Sequence, residues 1–327
     1  MIYLYFAALI ISFAILFKSA DFFIKGASGI ARALDIPKLI VGIVLVGMAT
    51  TAPEFGASVI AAFRKHPEIA LGNAIGSVIC DDGIALGLAA ILAPVAILVN
   101  CRILKSVGLF LLSIDILAYL LARNGTIGRA EGMIFLVILC IYFIVIIRSQ
   151  RASLKFKNQD TDHDSEINRN LLKAKKALLK RSVYFFLGGL TGVFITCWIV
   201  VEASIHIAEY FSVSEVIIGS TIVAIGTSLP EISTCITAAL KGEGEIAVGD
   251  ILGADILNIL WIIGFASVVN PIKVGVDFIN FIFPFMILIV VVMLVSMRIG
   301  CRLGKIKGFV LLGLYLVYLT LTLIFFT

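Results

Sequence analysis

The sequence predicts an all-α membrane protein with about ten transmembrane helices in two inverted five-helix repeats. Three observations predict it. Hydrophobic residues make up 61% of the 327 and charged residues 14%, with a mean hydropathy of +1.13, far outside the range of water-soluble domains. The stretch Ala49-Thr50-Thr51-Ala52-Pro53-Glu54 recurs as Gly226-Thr227-Ser228-Leu229-Pro230-Glu231, 177 residues later. The same offset, without a gap, pairs Gly42 with Gly219, Glu68-Ile69-Ala70 with Glu245-Ile246-Ala247, Gly72 with Gly249, Gly76 with Gly253 and Ile79 with Ile256. Shared composition explains scattered matches but not prolines, glutamates and glycines in phase, so the chain is read as an internal duplication. Finally, the apolar runs fall five to each half, an odd number, so the two halves must cross the membrane in opposite senses.

The expected spans cover residues 2–24, 39–62, 69–95, 103–122, 131–148, 182–208, 214–239, 246–268, 276–297 and 306–326. They divide the chain into a first repeat (1–148), a connecting loop (149–181) and a second repeat (182–327). No basic residue precedes the first apolar run, so it reads as a retained helix rather than a secretory signal. Lys18, Asp21 and Lys25 near its end are spaced to pair along one face.

The second span contains the first proline motif. Pro53 has no N–H for the carbonyl of Ala49, so the helix opens there, and freed carbonyls at membrane depth need a partner that a cation can supply. In the third span Asn73, Ser77 and Asp81 recur every four residues on one face. Gly72 and Gly76 permit close approach to a neighbouring backbone, expected to be the broken second span. Asp82 lies one residue off this stripe, and its role stays open.

Asp115 is a lone acid in the fourth span, read as structural in preference to a proton path. The connecting loop is polar and mixed in charge, consistent with a flexible connector. Its Asp160, Asp162, Asp164 and Glu166 lack the glycine and terminal glutamate of an EF-hand. In the sixth span Glu202 and His206 stand four apart, either as a bonded pair or along an access path. The seventh repeats the broken design, with Pro230 freeing the carbonyl of Gly226. The eighth puts Asp250, Ala254 and Asn258 on one face, the role of Asp250 being open, with Gly249 and Gly253 expected as its close-packing pair. The six cysteines show no metal-ligand spacing and read mostly as small apolar packing residues.

Orientation follows local Lys and Arg. Ten of them lie between Arg148 and Arg181, so the central loop is expected in the cytoplasm and both termini outside, in the plasma membrane. No nucleic acid, cofactor or obligatory protein partner is indicated; the lipid bilayer is the expected surround.

In an inverted repeat the broken helices meet near the midplane, which would bring Glu54 and Glu231 together with Thr50, Thr51, Ser77, Asp81, Thr227, Ser228 and Asn258. All are hard oxygen donors. No His or Cys joins them, which argues against zinc or copper. Ca2+, with its 6 to 8 oxygens in flexible geometry, suits the set better than Mg2+. Three carboxylates would repel when empty, so protons or monovalent cations should replace a departing Ca2+, which is the basis of exchange.

At these residues the chain resembles the sodium/calcium exchangers of the calcium/cation antiporter superfamily. The resemblance covers the ten-span layout and is most specific in G-T-S-L-P-E, its variant A-T-T-A-P-E, and the G-N/D-x-x-G that follows each. It implies a non-enzymatic antiporter exchanging Ca2+ for Na+ by alternating access, with the first and sixth spans sliding against the rest. It also implies a central diamond of Glu54, Asp81, Glu231 and Asn258, helped by the hydroxyls above and by the carbonyls of Gly47 and Ala224. The chain departs from the family's G-S-N-I, reading Gly76-Ser77-Val78-Ile79 and Gly253-Ala254-Asp255-Ile256. Ala254 lacks a hydroxyl that would help hold Na+, and Asp255 adds an acid that could replace it or carry protons. A Ca2+/H+ exchanger is therefore the alternative. An intramembrane aspartyl protease using two of Asp81, Asp82, Asp250 and Asp255 is more remote, because it leaves the Pro-Glu motifs without a task.

Overall fold

A computed structural model describes residues 2–33, 47–154 and 165–326. The helices are α1 (Ile2–Ala33), α2 (Gly47–Thr50), α3 (Ala52–Phe63), α4 (Pro67–Leu92), α5 (Cys101–Ala122) and α6 (Arg129–Leu154). The second half continues with α7 (Ser165–Phe211), α8 (Glu215–Thr227), α9 (Leu229–Leu240), α10 (Gly244–Val269), α11 (Phe278–Cys301) and α12 (Lys305–Phe326). Among the described residues eight helices are long and apolar enough to cross a membrane, and α8 with α9, bent by 46°, makes up to nine. The start of the predicted second span lies outside the described residues; α2 and α3 are its remainder.

Helices α4 and α10 form the centre. Each is 78% buried over its most apolar window, whereas α1 and α6 are 22% and 17% buried and present their apolar sides outward, as lipid-facing helices do. The centre is built from small residues for a steric reason. A Cβ added at Gly72 would lie 2.5 Å from the carbonyl oxygen of Val216, and one at Gly76 would lie 2.5 Å from that of Ser220. The glycine pair therefore presses on α8 of the other half, not on the broken second span as expected. The second span is met instead by the polar face of α4. Both central helices carry a π-turn, at Asp81–Ala85 in α4 and Asn258–Ile263 in α10, starting at positions that the 177 offset pairs.

Helices α1 and α7 pack along one another at the side. Their crossing is close because glycines face backbone: a Cβ on Gly26 would lie 2.3 Å from the Phe186 nitrogen, and one on Gly189 2.3 Å from that of Phe23. Asp21 and Lys25 pair at 2.7 Å, as their spacing predicts. Helix α7 begins at Ser165, well inside the predicted connecting loop, and α6 runs on to Leu154. Leu, Lys and Ala over 171–180 are strong helix formers, so the span extends through the charged stretch rather than ending at the apolar boundary. Of the four loop acids, Asp160, Asp162 and Asp164 lie outside the described residues.

Two short antiparallel ladders close the ends of the bundle. β1 (Ile97–Leu98) pairs with β4 (Arg302–Leu303), and β2 (Thr126–Ile127) with β3 (Ile272–Lys273). The first ladder brings Cys101 and Cys301 together in a disulfide spanning 200 residues of sequence. This corrects the packing role expected for those two cysteines; Cys80, Cys140, Cys197 and Cys235 are free. The bridge ties the start of α5 to the end of α11. If a protease site is engineered between Leu154 and Ser165, cleavage will give two fragments that run together on a denaturing gel without reductant and separate with it. Separation in both lanes would show that the bridge does not form.

Candidate functional site

The site is set by two identical interruptions. α2 stops at Thr50 and α3 starts at Ala52, with Thr51 between them at φ −77°, ψ 3°. Ser228 between α8 and α9 has φ −77°, ψ 5°. Proline in the first turn of each following helix enforces the break, since it cannot donate to the turn before it. Glu54 and Glu231 consequently sit in the first turns of α3 and α9, where the helix dipole favours negative charge. The hydroxyl of Thr50 donates to the carbonyl of Gly47 (3.0 Å), and that of Thr227 to the carbonyls of Val223 (3.1 Å) and Ala224 (3.3 Å). The carbonyls of Gly47 and Ala224 also accept the N–H groups of Thr51 and Ser228. Both are thus occupied by protein donors and would have to share or release them to bind an ion.

The two interruptions are locked together. The Ser228 hydroxyl donates to Glu54 Oε1 across 3.1 Å. Asn73 on α4 is the hub: its amide nitrogen donates to the Glu54 carbonyl (3.1 Å) and to Ser58 (2.9 Å), while its amide oxygen accepts from Thr227 (3.0 Å). Phe55 stacks on Trp261 with centroids 4.0 Å apart, fixing α3 against the π-turn that begins at Asn258.

Glu54, Asp81 and Glu231 act on one another electrostatically within this space, with Asp250 alongside. Glu54 and Asp81 are 1% exposed and Glu231 0%. Apart from Glu54 Oε1, their carboxylate oxygens accept no hydrogen bond from the described residues, and the hydroxyls of Thr51 and Ser77 and the whole amide of Asn258 are also unpartnered. Among the described residues no three His, Cys, Asp or Glu side chains stand close enough to hold a metal ion unaided. Any ion here must therefore be held by carboxylates together with hydroxyls, amide and backbone oxygens.

Of the residues expected at the site, Ser228 bonds Glu54 and Thr227 bonds Asn73, while Ser77, Asp81, Glu231 and Asn258 are buried and Thr50 and Thr51 lie at the first break. Asp255 is buried as well, and none of its carboxyl oxygens accepts a hydrogen bond from the described residues. The sequence placed Asn73 on the polar stripe of α4 without assigning it a role at the site. Its signal was the interval of four from Ser77. Asp250 accepts from Thr234 at 2.9 Å. Glu202 pairs with Arg64 (2.5 Å) just beyond α3, and its other carboxylate oxygen stands 3.3 Å from His206 Nε2.

The chain matches the family described as Sodium/calcium exchanger protein over residues 4–148 and 181–324. The chain belongs to this family. It is 30% identical to the inner membrane protein YrbG of Escherichia coli (strain K12), over 96% of this chain and 95% of that one. It is 28% identical to the sodium/calcium exchanger MaX1 of Methanosarcina acetivorans, over 98% of each. Its fold matches the solved structure of the sodium-calcium exchanger NCX_Mj with a TM-score of 0.66 and 24% identity, covering 98% of this chain and 99% of that one.

Replacing Asn73 with Ala removes three buried bonds and leaves the Glu54 carbonyl and Thr227 with fewer partners. A loss of about 1–3 kcal/mol follows, read as a lower melting temperature in detergent. The loss for Ser228→Ala should be about 1 kcal/mol. Melting of Asn73→Ala together with the wild type would contradict the hub.

Proposed function

We propose that this member of the sodium/calcium exchanger family is a secondary antiporter that exchanges Ca2+ for Na+ by alternating access. One observation carries the proposal. Glu54, Asp81 and Glu231 are fully buried with no buried cationic side chain among the described residues, the two glutamates just past two helix breaks that carry hydroxyl residues. Each bare carboxylate at membrane depth costs several kcal/mol, which a divalent cation offsets and two or more monovalent cations can offset in turn. Oxygen-only ligands suit Ca2+ and Na+ and disfavour softer metals. Binding would draw Glu54, Asp81, Glu231 and Asn258 inward, with Thr50, Thr51, Ser77, Thr227 and Ser228 as neutral oxygen donors and the carbonyls of Gly47 and Ala224 at the break.

Access would change by movement of α1 and α7 as a unit, since they pack chiefly on one another and flank the breaks. The Arg64 pair with Glu202 fastens α7 to the end of α3 and would hold one of the two states. The two halves are read as an inverted repeat, with the basic segment between them in the cytoplasm and both termini outside.

Proton coupling is a second reading, favoured by one feature: Ala254 offers no hydroxyl, while Asp255 supplies a carboxyl facing Asp82. A protease built on that pair is disfavoured because both carboxyls are 0% exposed, which denies a peptide access.

Uptake of radioactive Ca2+ into proteoliposomes at clamped potential will be driven by an outward Na+ gradient and not by an outward H+ gradient alone. Uptake driven only by H+ would move the protein to the proton-coupled reading. Glu54→Gln and Glu231→Gln should each abolish uptake while keeping the wild-type elution volume; wild-type flux in both would overturn the site.

A further inference from the structure

The exchange reading uses the Arg64–Glu202 pair as a fastening but gives His206 no part. Arg64, one residue past α3, meets α7 at two points: its guanidinium lies 2.5 Å from Glu202 Oε2 and 4.8 Å from the ring centre of Trp198, one turn earlier on the helix. The other oxygen of Glu202 stands 3.3 Å from His206 Nε2, and His206 Nδ1 stands 3.3 Å from Glu209 Oε2. Tyr5 of α1 lies against the imidazole, with ring centroids 4.5 Å apart. The groups that face His206 are therefore Glu202 and Glu209 from α7, Tyr5 from α1 and, through Glu202, Arg64. His66 and Glu215, 2.6 Å apart, join the starts of α4 and α8 and do not cross to α7.

Both ring nitrogens of His206 thus point at carboxylates. A neutral imidazole carries one N–H and leaves a lone pair against the second carboxylate, whereas an imidazolium presents an N–H to each. Protonation also cancels the surplus negative charge of a set that holds two glutamates and one arginine. The His206 side chain is 37% exposed, so water can deliver the proton, and imidazole is the side chain whose charge changes between about pH 5 and 8. We infer that His206 is a proton-operated latch on the exchange cycle, binding a proton to fix Glu202 against Arg64 and so hold α7, with α1, to the end of α3. Loss of that proton sets a lone pair against one carboxylate, frees Glu202 to turn from Arg64 and releases the α1–α7 pair. Helix α3 carries Glu54 in its first turn, so the latch grips at its far end the helix that positions the site. This proton regulates and is not cargo: it binds outside the group of buried carboxyls.

The latch rests on the exchange reading, and the test separates the two. Na+-driven uptake of radioactive Ca2+ into proteoliposomes is measured at about pH 5.5 and about pH 8, with the same pH on both sides so that no proton gradient acts. The wild type should run about threefold slower at the acid value, the scale of a half-exposed ion pair. His206→Phe keeps a ring beside Tyr5 but binds no proton, and it should run at the faster rate at both values. Glu209→Gln puts an amide donor opposite the lone pair of neutral His206, so it should run at the slower rate at both; it decides the matter if His206→Phe does not fold. A wild-type ratio of acid to alkaline rates in the folded variants would overturn the latch. A second readout needs no transport. In a Trp261→Phe background Trp198, under Arg64, is the remaining tryptophan; its emission should change between the two pH values and stop changing when His206→Phe is added. Emission that still changes equally would overturn the latch, whereas a Trp198 response as expected with no wild-type uptake at either pH would remove the exchange reading alone.

Discussion

Six carboxyls, those of Glu54, Asp81, Asp82, Asp115, Glu231 and Asp255, are buried in this bundle among described residues that include no buried basic side chain. Eleven of their twelve oxygens accept no hydrogen bond from the described residues. A desolvated ion costs several kcal/mol even after relaxation, so the sum exceeds the whole stability of an ordinary domain if every group is ionised and alone. Neutralisation, by protons or by bound cations, relieves that cost, and on the exchange reading proposed above the bound cations are the transported ones.

The scaffold holds these acids in place with little polar bonding. Small residues let α4 approach neighbouring backbone closely, whereas Gly249 and Gly253 on α10, expected to do the same, face open space among the described residues; Asn73 joins both motifs through one side chain. The breaks at Thr51 and Ser228 have the same backbone angles because the same chemistry, proline after a hydroxyl residue, produces both. The ladders at the bundle ends and the Cys101–Cys301 bridge brace helices that flank the site. The α1–α7 pair packs mainly on itself through glycines, with the Arg64–Glu202 pair tying α7 to the end of α3.

Much of this was legible in the sequence because it depends on local chemistry and on phase. The 177-residue offset marked the two breaks, and periodicity put Asn73, Ser77 and Asp81 on one face. Less was legible where geometry departs from an ideal helix. Helical spacing leaves Asp82 one residue off the stripe, and the π-turn that begins at Asp81 has no local sequence signal. Gly72 and Gly76 announced a close neighbour but could not name it, since a glycine face carries no partner identity. The bridge between Cys101 and Cys301 spans 200 residues and is created by a two-residue ladder with no sequence signal. The start of α7 was missed because charge reads as loop, although Lys and Leu propagate a helix well.

The central claim is that these buried acids are there to hold exchangeable cations. Equilibrium binding of radioactive Ca2+ to the purified wild-type protein, repeated as Na+ is raised at constant pH and ionic strength, tests it most directly. The account predicts saturable Ca2+ binding that Na+ displaces competitively, with more than one Na+ needed per Ca2+. Absence of saturable binding, or Ca2+ binding indifferent to Na+, would contradict it.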